Sequence, residues 1–205
     1  ASSGFSDAFF QGSSLIFVSE LGDKTFFIAT ILAAKASKLL TFAGCAGALA
    51  VMTVLSVLIG QIFHQVPPSL TQGLPLDDYV AVASFLFFGV KAILEAYKLD
   101  SSSDGAGIEE EREDAEKVLE EAGTGTKSGW PIVIEACTLT LAAEIGDRSQ
   151  IATIALAAAD PCGVALGGTA GHCLATGMAV LGGSFISKYF SERVIGFLGG
   201  ALFLV

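Results

Sequence analysis

The sequence contains few basic residues, few histidines and few charges of either sign. Of its 205 residues, 11 are Lys or Arg, two are His and only 16% are charged. Without a basic patch, the chain has no surface suited to nucleic acid. It also lacks an HExxH motif, and His64 and His172 are far apart in the chain, so we expect neither an enzyme nor a bound cofactor.

Cysteine is similarly uninformative about metal or redox chemistry. The four cysteines show no CxxC spacing, and most of them fall inside apolar runs, where cysteine acts as a small hydrophobic residue. They therefore predict neither a disulfide nor a zinc site. These residues are Cys45, Cys137, Cys162 and Cys173.

Apolar side chains are abundant. They make up 52% of the chain, and the mean hydropathy is positive, which is unusual for a soluble domain of this length. The net charge of −10 arises largely from one polar stretch, because ten of the 21 acidic residues lie between Asp100 and Glu121. We interpret residues 99–128 as a solvated acidic linker with an amphipathic helix in its middle. A regulatory cation-sensing loop is the alternative.

Five apolar segments are long enough to cross a lipid bilayer. A spanning helix needs roughly 20 apolar residues, and such segments occur at about 9 to 34, 40 to 63, 79 to 98, 130 to 159 and 163 to 187. A further segment from about 194 is shorter, so the last helix is expected to be truncated. The predicted fold is all-α, an integral membrane bundle of helices.

The positions of the basic residues predict the orientation of this bundle. If successive spans alternate in direction, the loops after the first, third and fifth spans share one side and carry eight of the 11 basic residues. The opposite side carries none. The positive-inside rule then assigns the basic loops to the cytosol or stroma, and the N-terminus to the far side.

The two halves of the chain repeat each other at a shift of 124 residues. The matched positions pair Glu20 with Glu144, Gly22 with Gly146, Asp23 with Asp147, and Gly44-x-x-Gly47 with Gly168-x-x-Gly171. Each half holds three spans, an odd number, so the second half enters the membrane inverted. We expect two three-helix units, residues 1–98 and the incomplete 129–205. Inverted repeats of this kind place a transport site near the midplane.

Each half carries one acidic motif inside a predicted span. The motifs are Glu20-Leu21-Gly22-Asp23-Lys24-Thr25 and Glu144-Ile145-Gly146-Asp147-Arg148-Ser149. A carboxylate in hydrocarbon is costly unless it is paired, protonated or in contact with water, so four matched acids indicate a function. On a continuous helix the Glu and Asp of each motif would lie on one face, three residues apart. The hydroxyls would join them only if the helix were distorted.

Together the motifs predict a metal site formed by Glu20, Asp23, Thr25, Glu144, Asp147 and Ser149. Such an all-oxygen, negative site suits Ca²⁺, Mn²⁺ or Mg²⁺. Protons can neutralise the same carboxylates, so cation/proton exchange follows as a hypothesis.

Three other interpretations of the motifs stay open. Lys24 and Arg148 could neutralise the acids in a structural salt-bridge network, although two basic residues would leave two of the four acids unpaired. The same carboxylates could line a cation-selective channel. Paired aspartates could also serve an intramembrane enzyme. We interpret His172 as a satisfied core histidine rather than a ligand or proton relay.

The paired Glu-x-Gly-Asp-(Lys/Arg)-(Thr/Ser) motifs resemble those of the Golgi and chloroplast manganese/calcium transporter family, over essentially the whole chain. The resemblance implies proton-coupled Mn²⁺ and Ca²⁺ transport, with acidic ligands at Glu20, Asp23, Glu144 and Asp147.

The resemblance also bears on location. The run from Leu74 to Tyr79 is similar to chloroplast members, whereas Gly167 to Cys173 is more similar to Golgi members. We expect a multi-pass protein of the chloroplast envelope or thylakoid membrane, with the Golgi as the alternative. The sequence leaves open the choice among Mn²⁺, Ca²⁺ and Mg²⁺ and the oligomeric state, a homo-oligomer included.

Overall fold

A computed structural model of the protein describes residues 2–65, 76–99, 104–123, 129–157 and 160–204. Within these ranges every regular element is helical, which confirms the all-α prediction. The helices are α1 (Ser2–Glu20), α2 (Lys24–Lys35), α3 (Lys38–His64), α4 (Leu76–Lys98), α5 (Ala106–Glu121), α6 (Trp130–Glu144), α7 (Arg148–Leu156), α8 (Pro161–Ile186) and α9 (Glu192–Leu204), with a 3₁₀ turn at Ser187–Tyr189.

Three of the predicted spans are long, apolar helical segments in the part of the chain described. They are Lys38–His64, Tyr79–Lys98 and Pro161–Tyr189, and each has the length and composition needed to cross a membrane.

The first and fourth predicted spans are each divided into two helices. The chain leaves α1 at Glu20 and enters α2 at Lys24, and it leaves α6 at Glu144 and enters α7 at Arg148. Gly22 and Gly146 adopt φ angles of +79° and +84° between these helices, a conformation that costs glycine little. The prediction that each Glu and Asp share one helix face is therefore wrong, because the motif lies across a helix break.

Close glycine contacts align α1 with α8. Gly163 of α8 lies against Phe5 of α1, and Gly171, two turns further on, lies against Ser13. The two helices therefore run parallel. Added Cβ atoms at these glycines would meet the α1 backbone, so glycine permits the close approach that membrane helices use for packing.

The second half repeats this arrangement in the opposite direction. Gly44 of α3 lies against α6, and Gly60, further along α3, lies against Ile154 of α7. Helices α6 and α7 therefore run parallel to α3, just as α1 runs parallel to α8. Between α3 and α8 the order of contacts reverses, since Thr53 lies beside Gly168 and Phe42 beside Gly177. The two halves are thus antiparallel, as an inverted repeat requires.

The third helix of each half lies at the edge of the bundle. Ile93 of α4 packs against Gly200 of α9, and Ala96 packs against Gly196, so these helices are antiparallel as well. The outer surface of α4 exposes large apolar side chains, Phe87 and Leu94 among them. Such a surface is expected where a helix faces lipid.

The amphipathic helix expected in the acidic segment is α5, but it is packed against the bundle rather than free in solvent. Its apolar residues Ala115 and Leu119 are fully buried in a cluster with Phe26 and Phe27 of α2. The solvated-linker interpretation is therefore wrong for α5. Residues 100 to 103 and 124 to 128 of that segment lie outside the described residues.

Candidate cation site

Both acidic motifs fold into the same local structure. The aspartate of each motif caps the helix that follows: Asp147 accepts a hydrogen bond from the Ser149 amide at 2.9 Å, and Asp23 accepts one from the Thr25 amide at 3.5 Å. Aspartate is a preferred N-cap residue, because its carboxylate satisfies an amide that the helix leaves unpaired. The Gly-Asp pair therefore ends one helix and starts the next.

The helix break in each motif brings its hydroxyl group within hydrogen-bond distance of its glutamate. Thr25 Oγ1 donates a 2.7 Å hydrogen bond to Glu20 Oε2, and Ser149 Oγ donates a 2.6 Å hydrogen bond to Glu144 Oε1. Each glutamate is only 2% exposed. These two contacts orient both glutamate carboxylates, which lie at the ends of α1 and α6.

Side chains from both halves converge at this point. Glu20, Glu144 and His172 each offer one ligand atom, and these atoms lie within 4.8 Å of one another. Oxygen ligands bind Mg²⁺ or Ca²⁺ at roughly 2.0–2.6 Å, so two ligands of one ion lie at most about 5.2 Å apart. The three side chains are thus close enough to bind a single ion.

The other predicted ligands lie beside this cluster. Thr25 and Ser149 are buried and bonded to the glutamates, whereas Asp23 and Asp147 are partly exposed at the starts of α2 and α7. The two aspartates are near enough to interact electrostatically. The structure therefore brings all six predicted residues into one region, with the glutamates at its centre.

His172 is the residue whose position the sequence interpretation missed. It is 3% exposed, its Nδ1 has no hydrogen-bond partner among the described residues, and that atom lies 3.6 Å from Glu20 Oε1. It is not a satisfied core histidine. The repeat offered a weak signal, since a shift of 124 residues matches His172 with Ala48, which has no polar side chain.

The basic residue of the first motif pairs with an acid outside the motif. Lys24 forms a 3.6 Å ion pair with Asp114 of α5. In the described part of the chain, the ion-pair partner of Glu20 is His172, and no Lys or Arg pairs with either glutamate. The salt-bridge interpretation of the motifs therefore fails at their central acids.

Helix α5 covers one side of the site. Its Ile108 lies against Gly22, at the first helix break. Half-burial raises the pKa of Glu111, and the charges of Lys24 and Arg148 oppose that effect. The acidic helix thus contacts the first motif cation, Lys24, through Asp114, as well as the turn between α1 and α2.

A small polar cavity lies on another side, between α3 and α7. It is lined by Glu144, Ser149 and His172, together with hydroxyls of Thr53, Ser56 and Thr153. The positions that match Ser56 and Thr153 in the other half are Val180 and Ala29, which are apolar and buried. At these two matched positions, the polar lining of the Glu144 side is thus replaced by apolar side chains in the other half.

Comparison with known proteins identifies the family. The family model described as the divalent cation/proton antiporter GDT1 matches residues 8–100 and 132–205. The chain belongs to the GDT1 family. The match includes both acidic motifs and omits α5. It confirms the family resemblance that the motifs predicted, and GDT1 proteins are a family of transporters rather than enzymes.

Relatives within the GDT1 family include plant and cyanobacterial proteins. The chain is 47% identical over 212 residues to the chloroplastic PAM71-homolog protein of Arabidopsis thaliana, covering 100% of this chain and 58% of that protein. It is 44% identical to the chloroplastic GDT1-like protein 2 of Oryza sativa subsp. japonica, covering 60% of that protein. It is also 44% identical to the GDT1-like protein sll0615 of Synechocystis, covering 96% of this chain and 92% of that protein.

The chain therefore spans about three fifths of the length of the two plant relatives. No solved structure matches it.

Proposed function

We propose that this GDT1-family protein exchanges a divalent cation, Mn²⁺ or Ca²⁺, for protons across a membrane. The cation binds between Glu20 and Glu144, with Thr25 and Ser149 beside them and Asp23 and Asp147 at the adjoining helix starts. One observation carries the proposal: the two buried glutamates come from oppositely oriented halves and lie close enough to hold one ion.

The electrostatics of this pair explain why exchange is the expected activity. Two ionised carboxylates a few ångströms apart repel each other strongly when water is largely excluded. A divalent cation neutralises both charges, and two protons do the same. An empty, doubly charged site is disfavoured, so release of one occupant is coupled to entry of the other.

The architecture supports a carrier over a channel. Transporters with inverted repeats bind their substrates at broken helices near the midplane, where the two halves meet. Here the breaks at Gly22 and Gly146 occur at the ends of α1 and α6, next to the glutamates. Movement of one half against the other would expose the site to each side in turn.

The names of the Arabidopsis and rice relatives support a chloroplast membrane, envelope or thylakoid, over the Golgi. Fractionation of plant cells that express the tagged full-length protein into chloroplast and Golgi membranes tests this location. Recovery with Golgi markers would contradict it.

Transport by purified protein in liposomes tests the function. We expect an acidic interior to accelerate Mn²⁺ or Ca²⁺ uptake, because outward proton movement drives the exchange, and we expect collapse of the pH gradient to abolish that acceleration. Glu20→Gln and Glu144→Gln should each stop uptake. Glu95→Gln is the matched control, since Glu95 is exposed on α4 and pairs with Lys91 at 3.8 Å.

Two results would contradict the proposal in different ways. An uptake rate that does not depend on the pH gradient would contradict proton coupling. Single-channel conductance through the wild-type protein would favour the channel interpretation instead.

A further inference from the structure

His172 occupies a position that packing alone does not explain. It lies on α8 among glycine, alanine and threonine, and its imidazole is 3% exposed. Within the part of the chain that the structure describes, its Nδ1 has no hydrogen-bond partner, and neither does the nearby Glu144 Oε2. Buried polar atoms without partners are rare in folded proteins, and each calls for a specific reason.

The repeat provides an internal comparison. Ala48 is the counterpart of His172 on α3, and it is fully buried. The equivalent position in the first half is therefore filled by a methyl group, so the fold has no general need for a large polar side chain there. The motif acids and hydroxyls are matched between the halves, but the histidine occurs in only one of them.

The histidine also lies where an ion would bind. Its ring nitrogen, one oxygen of Glu20 and one oxygen of Glu144 are mutually within 4.8 Å. The 3.6 Å separation between Nδ1 and Glu20 Oε1 is longer than a hydrogen bond. It is a suitable separation for two ligands that share a metal ion, because each ligand atom then lies roughly 2 Å from the metal.

Nitrogen changes the chemistry of an otherwise all-oxygen site. Ca²⁺ and Mg²⁺ bind oxygen ligands, whereas first-row transition ions also accept imidazole. Among those ions Mn²⁺ has the strongest preference for carboxylate oxygen. A site with two carboxylates, two nearby hydroxyls and one imidazole therefore suits Mn²⁺ better than Ca²⁺ or Mg²⁺.

We propose that His172 is a ligand of the transported cation through Nδ1, and that it makes the site select a transition ion over Ca²⁺ and Mg²⁺. This inference rests on the proposed function, because it concerns the same site. The role requires a neutral ring whose proton is on Nε2, which leaves the Nδ1 lone pair directed at the ion.

The chain contains only two histidines, which makes a direct spectroscopic test possible. In His64→Gln protein purified without a histidine tag, His172 is the one remaining imidazole. Pulsed electron paramagnetic resonance of bound Mn²⁺ should show coupling to an imidazole nitrogen. Growth on ¹⁵N-labelled histidine should replace the ¹⁴N pattern with a ¹⁵N pattern, and His172→Gln should remove it.

Competition transport measures the effect on selectivity. His172→Gln replaces the nitrogen with an amide oxygen of similar reach. We expect its Mn²⁺ affinity to fall roughly tenfold or more. Even the loss of a residue that only hydrogen-bonds to a metal ligand lowers metal affinity by about tenfold or more. Its Ca²⁺ affinity should change far less, so the Mn²⁺/Ca²⁺ ratio should drop. His64→Gln should keep the wild-type ratio.

The outcomes separate this inference from the proposed function. Bound Mn²⁺ whose spectrum is unchanged by ¹⁵N-histidine would overturn the ligand role and leave cation exchange intact. Equal losses of Mn²⁺ and Ca²⁺ affinity in His172→Gln would overturn the selectivity role. A wild-type protein that neither binds nor transports any divalent cation would overturn the proposed function, and this inference with it.

Discussion

Ser149 fixes the orientation of Glu144, because its hydroxyl donates a 2.6 Å hydrogen bond to Oε1, whereas Oε2 has no partner in the described ranges. The bond depends on the break between α6 and α7, which turns a residue five positions later back toward the glutamate. Thr25 and Glu20 have the same relationship in the other half.

This contact predicts that Ser149→Ala weakens cation binding. Hydrogen bonds to charged groups contribute roughly 1.5–3 kcal/mol, so we expect the cation concentration at half-maximal uptake to rise at least about tenfold. Ser149→Thr keeps the hydroxyl, as Thr25 does in the first half, and should stay close to wild type. Equal uptake by the alanine and threonine variants would contradict an orienting role for the hydroxyl.

The aspartates combine two roles that substitution can separate. Asp147 caps α7 with a 2.9 Å hydrogen bond, and asparagine caps helices about as well as aspartate. Asp147→Asn should therefore keep the thermal stability of the wild type while reducing transport. Asp147→Ala should lose transport and also about 1 kcal/mol of stability. Thermal unfolding in detergent, measured beside liposome uptake, distinguishes the two effects.

If Asp147→Asn transports normally, the aspartate is only a helix cap. The cation site would then consist of the glutamates, their hydroxyl neighbours and His172.

Two glycines one turn apart on α3 provide a matched test of the packing. A Cβ at Gly44 would lie 2.7 Å from both the Val133 carbonyl and the Ala136 side chain of α6, whereas a Cβ at Gly47 would meet nothing within 4 Å. Gly44→Ala should therefore destabilise the bundle by about 1–3 kcal/mol. Gly47→Ala should be neutral or slightly stabilising, since alanine favours the helix by roughly 0.5–1 kcal/mol.

Thermal unfolding of the two glycine variants in the same detergent provides the comparison. Equal stability of both would mean that α3 and α6 are not in close contact in the folded protein.

Docking of α5 should depend on its apolar face more than on its charges. The Lys24–Asp114 pair is partly exposed, and such pairs contribute little, whereas Leu119 is 1% exposed. We expect Leu119→Ser to release α5, because removing a buried leucine costs roughly 2–5 kcal/mol. Amide hydrogen exchange across residues 106–121 should then accelerate.

Glu120→Ser is the control for this experiment, since Glu120 is an exposed neighbour on the same helix. Fast exchange of α5 already in the wild-type protein would contradict the docked position.

Composition and periodicity were sufficient to predict the class of the protein. The length and composition of the apolar segments predict membrane spans without any knowledge of how the helices pack. The odd number of spans in each half then requires an inverted second copy. The duplicated Glu-x-Gly-Asp motifs likewise predicted which acids lie together in the structure, because a buried carboxylate indicates a function wherever it occurs. The family match confirmed the resemblance that these motifs had suggested.

The local geometry of the motifs was only partly predictable. A glycine followed by aspartate is a recognisable helix end and N-cap, yet the apolar residues on both sides favoured one continuous span. Helix propensity alone did not indicate which would prevail. The break is observed where Glu20 and Glu144 meet, and it gives each glutamate a hydroxyl partner that a continuous helix would keep apart from it.

The sequence by itself determined the membrane helices, the inverted halves and the identity of the acidic residues, because these follow from side-chain polarity and from a repeat visible in one dimension. Only the tertiary structure decided that His172 joins Glu20 and Glu144, and that α5 packs over the first helix break. Those arrangements bring Glu20 beside Glu144 and His172, 124 and 152 positions away, and Gly22 beside Ile108, 86 positions away. They depend on how closely helix backbones approach at glycines such as Gly167 and Gly171.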